Sequence, residues 1–219
     1  EVKLPEVIDQ ASSLVAPLIT VDEENDLHVV FEKRMQGKCR KPERPTIEQL
    51  SVLKFLFRAL LNPFADLSIF GPFQNRLRRK LILAGWVSAG PDEFRRVEMK
   101  GPPDYATWLQ GFRVYRNCGI MFEEIGVTGL DNYSEQIGHF NSEFGTACWP
   151  LLYQADVRMR LEEMPAIRRE LTAEAKAVRD AGGKHDFDEK KPWMEVWRRA
   201  VSRESNEFWD KEFKTPAML

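Results

Sequence analysis

The sequence predicts a mainly α-helical protein, a helical bundle with at most one small β-hairpin. Apolar and aromatic residues recur at steps of three and four positions along most of the chain, which is the spacing of one helix face. Several of these segments follow a helix start signal. The signals are the capping box Thr46-x-x-Gln49, Asp104 after a Gly-Pro-Pro turn, and Pro150, Pro165 and Pro192 in first turns. The segment "EFRRVEMKG" alternates partially, which favours one strand of a hairpin.

Composition and charge limit the classes of function. The chain has 219 residues, of which 43% are hydrophobic, enough to bury a core in one large or two small domains. Its 32 basic and 34 acidic residues nearly balance, so no strongly polyanionic partner is implied and any nucleic-acid contact has to be local. Three widely spaced cysteines suit a reducing compartment, which predicts an intracellular protein, cytoplasmic or nuclear. No apolar stretch is long enough to span a bilayer, so we expect no membrane partner. Because residue 1 is Glu, we expect a piece of a longer protein.

The first part of the chain predicts helices separated by a linker. Residues 4–20 read as a short helix, and residues 26–35 fit either a helix or a strand. A basic, proline-containing linker follows at 36–45.

The Thr46 capping box opens the clearest helix, which we expect to run through Leu61. Apolar side chains cover so much of its surface that most of this helix should be buried. A further helix carries "QNRLRRKLIL" and ends at Gly85, and the small β element is expected near 86–100.

The second half of the chain reads as almost continuous helix. Asp104 begins a long helix with a narrow aromatic stripe. The predicted pieces after it are helices at 130–144, 150–163 and 165–181, a charged insert at 184–191 that we expect to be mobile, and a C-terminal helix from Pro192. This order predicts a helical domain at 1–183, followed by the charged insert and C-terminal helix at 184–219.

Cys148 is the residue that most resembles a catalytic group. The string Gly145-Thr146-Ala147-Cys148-Trp149 is similar in outline to the nucleophile segment of papain-like proteases, where a helix N-terminus helps to hold the thiolate. However, His185 is the only histidine that follows, and Pro150 departs from that family's pattern. Free cysteines are among the most buried residue types, so we interpret Cys148 as a buried small hydrophobic residue and predict no catalytic residue.

No pattern predicts a metal or a cofactor. His28, His139 and His185 are far apart in sequence from one another and from the cysteines, unlike the ligands of a zinc site. The chain also has no glycine-rich nucleotide-binding loop.

Two basic groups are candidates for nucleic-acid contact, because clustered cations pair with phosphates. The candidate residues are Lys38, Arg40 and Lys41, with Arg44, in the linker, and Arg76, Arg78, Arg79 and Lys80 in the predicted second helix. The alternative is a solvated face paired with neighbouring acids. A third group, Arg158, Arg160, Arg168 and Arg169, alternates with glutamates at helical spacing and predicts a self-neutralised surface.

The C-terminal helix has large aromatic residues. These are Trp193, Trp197, Phe208 and Trp209. Because they follow a charged insert that need not hold them against their own chain, we expect them to mediate self-association, and the alternative is that they are core residues.

The stretch 101–164 carries a set of short motifs without catalytic residues. They are a Gly101-Pro102 turn, Trp108 followed by Phe112-Arg113-Val114, Leu130-Asp131-x-Tyr133, and Trp149 before Tyr153-Gln154-Ala155-Asp156-x-Arg158. In these features the stretch resembles a helical segment that recurs in retroelement-type polyproteins of dinoflagellates and related algae. The resemblance implies a Gag-like protein, an all-helical capsid-type module that self-associates and packages RNA. The chain departs from such proteins because it lacks the cysteine-histidine knuckle that usually follows the module.

We therefore expect a non-enzymatic, self-associating structural module resembling a retroelement or virus-like capsid protein, with no cofactor. Its expected partners are copies of itself and, through a local basic patch, RNA. The alternative function is a nucleic-acid-binding or scaffold adaptor protein that uses the basic helix. A hydrolase that uses Cys148 is the third hypothesis.

Overall fold

The computed structural model describes residues 17–67, 70, 82–90, 93–202 and 206–218, and in the two strands it describes the backbone alone. The protein is mainly helical, as predicted. The elements in chain order are α1 (Val21–Met35), α2 (Ile47–Arg58), β1 (Ile82–Gly90), β2 (Glu93–Lys100), α3 (Tyr105–Met121), α4 (Val127–Phe144), α5 (Trp149–Arg158), α6 (Met164–Asp180), α7 (Pro192–Ala200), α8 (Asn206–Trp209) and α9 (Thr215–Ala217). Shorter turns are the 3-10 turns Lys41–Glu43 and Thr146–Cys148 and the π turns Met159–Glu163 and Asp210–Lys214. Most of the predicted helix at 4–20 lies outside the described residues.

Capping side chains begin the helices where the sequence predicts them. Thr46 Oγ1 accepts a hydrogen bond from the Gln49 N–H at 3.1 Å, and Gln49 Oε1 accepts one from the Thr46 N–H at 2.9 Å. Asp104 Oδ1 accepts a hydrogen bond from the Thr107 N–H at 2.7 Å. An equivalent box at Thr20 begins α1, so the ambiguous segment 26–35 is helical.

Helix α2 ends at Arg58, earlier than the predicted end at Leu61. Leu60 adopts a left-handed conformation with φ of 52°, and the Leu61 N–H bonds to the Leu56 carbonyl at 2.9 Å across the turn. This hydrogen bond is that of a Schellman cap, with leucine in the position that glycine usually takes. The chain therefore leaves the helix before the Asn62-Pro63 stop signal.

The two strands form the predicted hairpin. They pair antiparallel, with Ile82 opposite Lys100 and an irregularity between Ser88 and Gly90. Because β1 begins at Ile82, the prediction of a helix that ends at Gly85 is wrong over 82–85. Strand pairing overrides local helix propensity here, as it often does in sheets.

The core is built around α3, which packs against α1, α2 and α4. Its aromatic rings contact aromatic rings on other helices. The ring centroids of Trp108 and Phe112 are 4.8 Å apart, and those of Phe112 and Tyr133 are 5.9 Å apart. Tyr133 meets Trp197 edge-on at 5.0 Å. These side chains are fully buried, so the predicted aromatic stripe of α3 is core.

A buried ion pair lies inside this aromatic core. Arg160 Nε and Nη2 donate to the two carboxylate oxygens of Asp156 at 3.0 and 2.6 Å, and neither residue is more than 2% exposed. Trp108 Nε1 and the Tyr133 hydroxyl donate to the same carboxylate at 3.0 and 2.8 Å. The prediction that Arg160 belongs to a self-neutralised surface is therefore wrong, because Asp156, one turn away, compensates its charge in the core.

The π turn Met159–Glu163 contains Arg160 and receives further support. Asn62 Nδ2 donates to the Arg160 carbonyl at 3.0 Å and to the Leu161 carbonyl at 3.4 Å. Burial alone would lower the pKa of Arg160, but Asp156 outweighs that effect and raises it. Burial and the charge of Asp156 together raise the pKa of Tyr133, which keeps its hydroxyl protonated as a donor.

The charged insert is held against the fold. Phe187 is buried, and the Phe187 N–H bonds to His185 Nδ1 at 3.0 Å. Arg179 Nη1 lies 2.6 Å from a carboxylate oxygen of Glu189. A buried apolar side chain and an ion pair therefore help to anchor the insert, and the expectation of a free tether is corrected.

The helices after the insert belong to the same core as the rest of the chain. Trp193, Trp197 and Trp209 lie in one continuous hydrophobic cluster with the residues of α3 and α4. Helix α7 packs against α4 and α6. Apolar side chains on both sides of the predicted boundary between 1–183 and 184–219 thus share one interior.

Candidate interaction surface

Helix α2 carries an apolar face that the described fold leaves open. Val52 is 44% exposed, and Leu18, shortly before α1, is 67% exposed. Phe55 and Ala59 lie on the same side of α2 as Val52. We term Leu18, Val52, Phe55 and Ala59 the apolar face. The prediction that most of α2 is buried is wrong, because only its other side packs into the core. That side consists of Leu50, Ser51, Leu53 and Phe57.

A cleft of about 420 Å³ opens beside the apolar face. Its lining residues are Pro17, Leu18, Ser51, Lys54, Phe55, Arg58 and Ala59. Ser51 Oγ accepts a hydrogen bond from the Ile19 N–H at 3.0 Å and donates to the Ile47 carbonyl at 2.6 Å. This buried hydroxyl therefore ties the segment before α1 to α2 and places Leu18 at the cleft.

Opposite charges flank the apolar face. Lys54 Nζ lies 2.5 Å from Glu23 Oε1, so the first turn of α1 lies beside α2. The hydrogen bond from Lys54 lowers the pKa of Glu23. Arg58 on α2 and Asp22 on α1 are both exposed, and neither forms an ion pair with another described residue. Arg58 thus adds a cation at the cleft beside the apolar face, and Asp22 adds an anion on the neighbouring first turn of α1.

This surface was not among the predicted site residues. The signal in the sequence was the breadth of the apolar pattern on α2, where Val52, Phe55 and Leu56 widen the face beyond one helix stripe. A helix that is apolar on two sides has either two buried faces or one buried face and one interaction face, and periodicity does not distinguish them.

The basic linker is exposed and anchored. The predicted nucleic-acid residues in it, Lys38, Arg40 and Lys41, are exposed and form no ion pair within the described part of the chain. Asn117 Nδ2 donates to the Glu43 carbonyl at 3.0 Å, which fixes the linker against α3. Arg44 lies 3.1 Å from Glu24 instead. The other predicted nucleic-acid residues, Arg76, Arg78, Arg79 and Lys80, lie outside the described residues.

The aromatic residues predicted to mediate self-association are packed inside the chain. Trp193, Trp197 and Trp209 are at most 1% exposed, and Phe208 is half-buried. The rings of Trp209 and Phe140 lie 5.3 Å apart. The expectation is corrected, because the anchored insert lets these tryptophans complete the core, where they offer no surface to a second subunit.

Cys148 lies at the start of α5, half-buried against the core rather than fully buried. Its backbone N–H bonds to the Gly145 carbonyl at 3.2 Å. Among the residues that the structure describes, no histidine or carboxylate hydrogen-bonds to its sulfur. His185 instead accepts a bond from a neighbouring backbone N–H. The described part of the chain thus places no general base beside this thiol.

Another cleft, of about 350 Å³, lies between α3 and α4, and its two guanidinium groups are already paired. Arg116 binds Asp131 through Nε at 2.5 Å and Nη2 at 2.9 Å. Arg113 lies 3.5 Å from Glu43. These pairs leave the cleft little charge for an anionic ligand.

Metal binding and membrane insertion have no structural basis in the described ranges. No group of three or more His, Cys, Asp and Glu side chains there is placed to hold a metal ion. No helix there is both long enough and apolar enough to cross a lipid bilayer.

Known proteins provide no assignment. No protein-family model matches the chain, and neither a curated protein nor a solved structure matches it.

Proposed function

We propose that this chain is a non-enzymatic assembly module that associates with copies of itself through the apolar face. The proposal rests on the exposure of Val52 and Leu18 beside a cleft. By contrast, most aromatic side chains that the structure describes are packed inside. Contiguous exposed apolar surface with a polar rim is typical of interaction sites. The Gag-like resemblance of 101–164 supports the same class of protein.

A second copy is the occupant that the charges of this surface favour. In a two-fold dimer the same patch meets itself, so each edge faces the opposite edge of the partner. Arg58 of one copy would then meet Asp22 of the other, twice per dimer, while the apolar side chains meet in the centre. Burial of the apolar area contributes about 25 cal/mol per Å², and the paired edges fix the register.

Val52→Asp tests this interface. The residue is partly exposed, so the charge should leave the fold intact while it opposes burial of the apolar face. We expect wild-type protein to gain mass with concentration in light scattering after size exclusion, and Val52→Asp to remain at 25.4 kDa.

Val29→Asp is the matched control, because Val29 is 64% exposed on α1 outside the apolar face. This variant should associate like the wild type. If both variants lose association equally, or if neither does, the apolar face is not the interface. Circular dichroism should show the same helical content in all three proteins.

The exposed basic linker supports nucleic-acid binding as a second candidate function. Its unpaired side chains can contact phosphates without first breaking ion pairs within the described chain. The double change Lys38→Glu with Lys41→Glu should lower affinity for single-stranded RNA and flatten its dependence on salt concentration. Lys176→Glu, exposed on α6, is the control. An unchanged salt slope in the double variant would exclude the linker. The same assay with two charges reversed among Arg76, Arg78, Arg79 and Lys80 tests the other predicted group.

A further inference from the structure

A further cleft, of about 330 Å³, lies where α1, α2 and the chain after α3 meet, and it shares Lys54 and Arg58 with the cleft beside the apolar face. We term it the Glu124 cleft. Its apolar side chains are Ile19, Leu27, Val30, Phe57 and Phe122. The ring centroids of Phe57 and Phe122 lie 5.8 Å apart, at an angle of 59°. The cleft therefore has aromatic surface suited to a hydrocarbon chain.

Glu124 brings a carboxylate into this apolar setting. Its Oε2 is buried and accepts no hydrogen bond from any described residue. The preceding residue, Glu123, has φ of 56°, and the Glu124 N–H bonds to the Gly119 carbonyl at 3.4 Å. This is the hydrogen bond of a Schellman cap at the end of α3, like the one that ends α2. Glu124 therefore lines the cleft, and one of its carboxylate oxygens lacks a donor among the described residues.

The charges around the cleft favour a cation. Three carboxylates and two cationic groups line it, which leaves one negative charge uncompensated. They are Glu23, Asp26 and Glu124 against Lys54 and Arg58. Glu23 and Lys54 are engaged with each other at 2.5 Å. Burial raises the pKa of Glu124, as expected for a carboxylate that lacks a close donor.

We infer that the Glu124 cleft binds a lysine side chain presented by another protein chain. The ammonium pairs with the Glu124 carboxylate, and its four-carbon stem lies against Phe57 and Phe122. The unbranched stem of lysine suits the apolar walls of the cleft, and its ammonium is a compact point charge.

Lys191 of the same chain does not fill this role. Its Nζ donates to the Glu123 carbonyl at 3.4 Å and not to the Glu124 carboxylate. Its charge lowers the pKa of Glu124, but the buried oxygen remains without a hydrogen-bond donor among the described residues.

The test uses Nα-acetyl-lysine N-methylamide as the charged probe. Its Nε-acetylated form, which lacks the positive charge, is the matched control. NMR spectra of the full chain should show saturable shifts of the Phe57 and Phe122 ring signals with the charged probe alone. Glu124→Gln should weaken binding about tenfold or more, because a charge-assisted hydrogen bond is lost. Glu207→Gln, at an exposed carboxylate on α8, should bind like the wild type.

Several outcomes would overturn the inference. They are no saturable shift with the charged probe, equal shifts with the acetylated probe, or unchanged binding by Glu124→Gln. Lys191→Met adds a check. If this variant binds the charged probe about tenfold or more tightly than the wild type, Lys191 itself occupies the site in solution and the inference is overturned. All titrations are repeated with Val52→Asp protein, so the result does not depend on self-association. Glu124→Gln should unfold at the same or a higher temperature, since it removes a desolvated charge without a close donor.

Discussion

Arg160 binds both carboxylate oxygens of Asp156 in the interior of the protein, one turn away on the same run of helix. Trp108 from α3 and Tyr133 from α4 complete the hydrogen bonds of that carboxylate. Arg160 also donates to the Ala65 carbonyl at 2.8 Å, beyond the end of α2. One ion pair thus connects four parts of the chain, and we infer that it fixes how the helices are arranged.

The first prediction concerns this pair. Asp156→Asn should lower the free energy of unfolding by about 3–5 kcal/mol, because it leaves the guanidinium of Arg160 buried without a counter-charge. Arg160→Met should cost a similar amount, and the double variant should cost less than the sum, since the two side chains act together. Urea unfolding measures all three.

An exposed pair provides the control. Glu195 and Arg198 form an ion pair on the surface of α7. Glu195→Gln should change the free energy of unfolding by less than about 1 kcal/mol. If Asp156→Asn were as mild as Glu195→Gln, the buried pair would have no organising role.

The second prediction separates core from interface at the C-terminus. Trp197→Ala should lower the free energy of unfolding by about 3–5 kcal/mol, because it empties a fully buried site. Met194→Ala on the same helix should matter little, since Met194 is 43% exposed. Trp197→Ala protein that kept full stability but lost self-association would contradict the core assignment.

The third prediction concerns two glycines. A Cβ at Gly111 in α3 would lie 2.8 Å from the Leu67 carbonyl oxygen, whereas one at Gly37 would meet only the Met35 carbonyl oxygen at 3.9 Å. Gly111→Ala should therefore destabilise the protein by about 1–3 kcal/mol through overpacking. Gly37→Ala should be neutral or stabilising. Thermal unfolding of both variants gives the comparison, and a higher midpoint for Gly111→Ala would show that α3 can move away.

The fourth prediction is a pH dependence. Burial, with the nearby charge of Glu43, raises the pKa of the Cys39 thiol to about 11. The thiolate is the reactive form, so alkylation of native protein at Cys39 should stay slow at pH 8 and increase up to about pH 11. In urea the same residue should react with a midpoint near its ordinary value of about 8.5. Equal rates at pH 8 in both conditions, read by mass spectrometry, would contradict the packing of Cys39 beside Asn117.

Several features of the fold could be predicted because they depend on local contacts. A capping side chain bonds to a backbone group three residues away, so Thr46 and Asp104 identified helix starts directly. The end of the chain could not be predicted in the same way. The eight residues 184–191 contain one apolar side chain, Phe187, and its burial turned a predicted tether into part of the core.

The candidate sites depend on which neighbours each face meets. Asp156 and Arg160 have the same spacing as Arg158 and Glu162, which do form a surface pair at 3.2 Å. Spacing alone cannot tell a buried pair from an exposed one. The Glu124 cleft had no sequence signal, because its walls come from segments far apart in the chain.

Self-association is the central functional proposal, and sedimentation equilibrium of the wild-type chain tests it most directly. Mass action makes an associating protein heavier as its concentration rises. We predict a weight-average mass that increases from 25.4 kDa toward multiples of that value over a range of about a hundredfold in concentration. A mass that stays at 25.4 kDa throughout would contradict the assembly function.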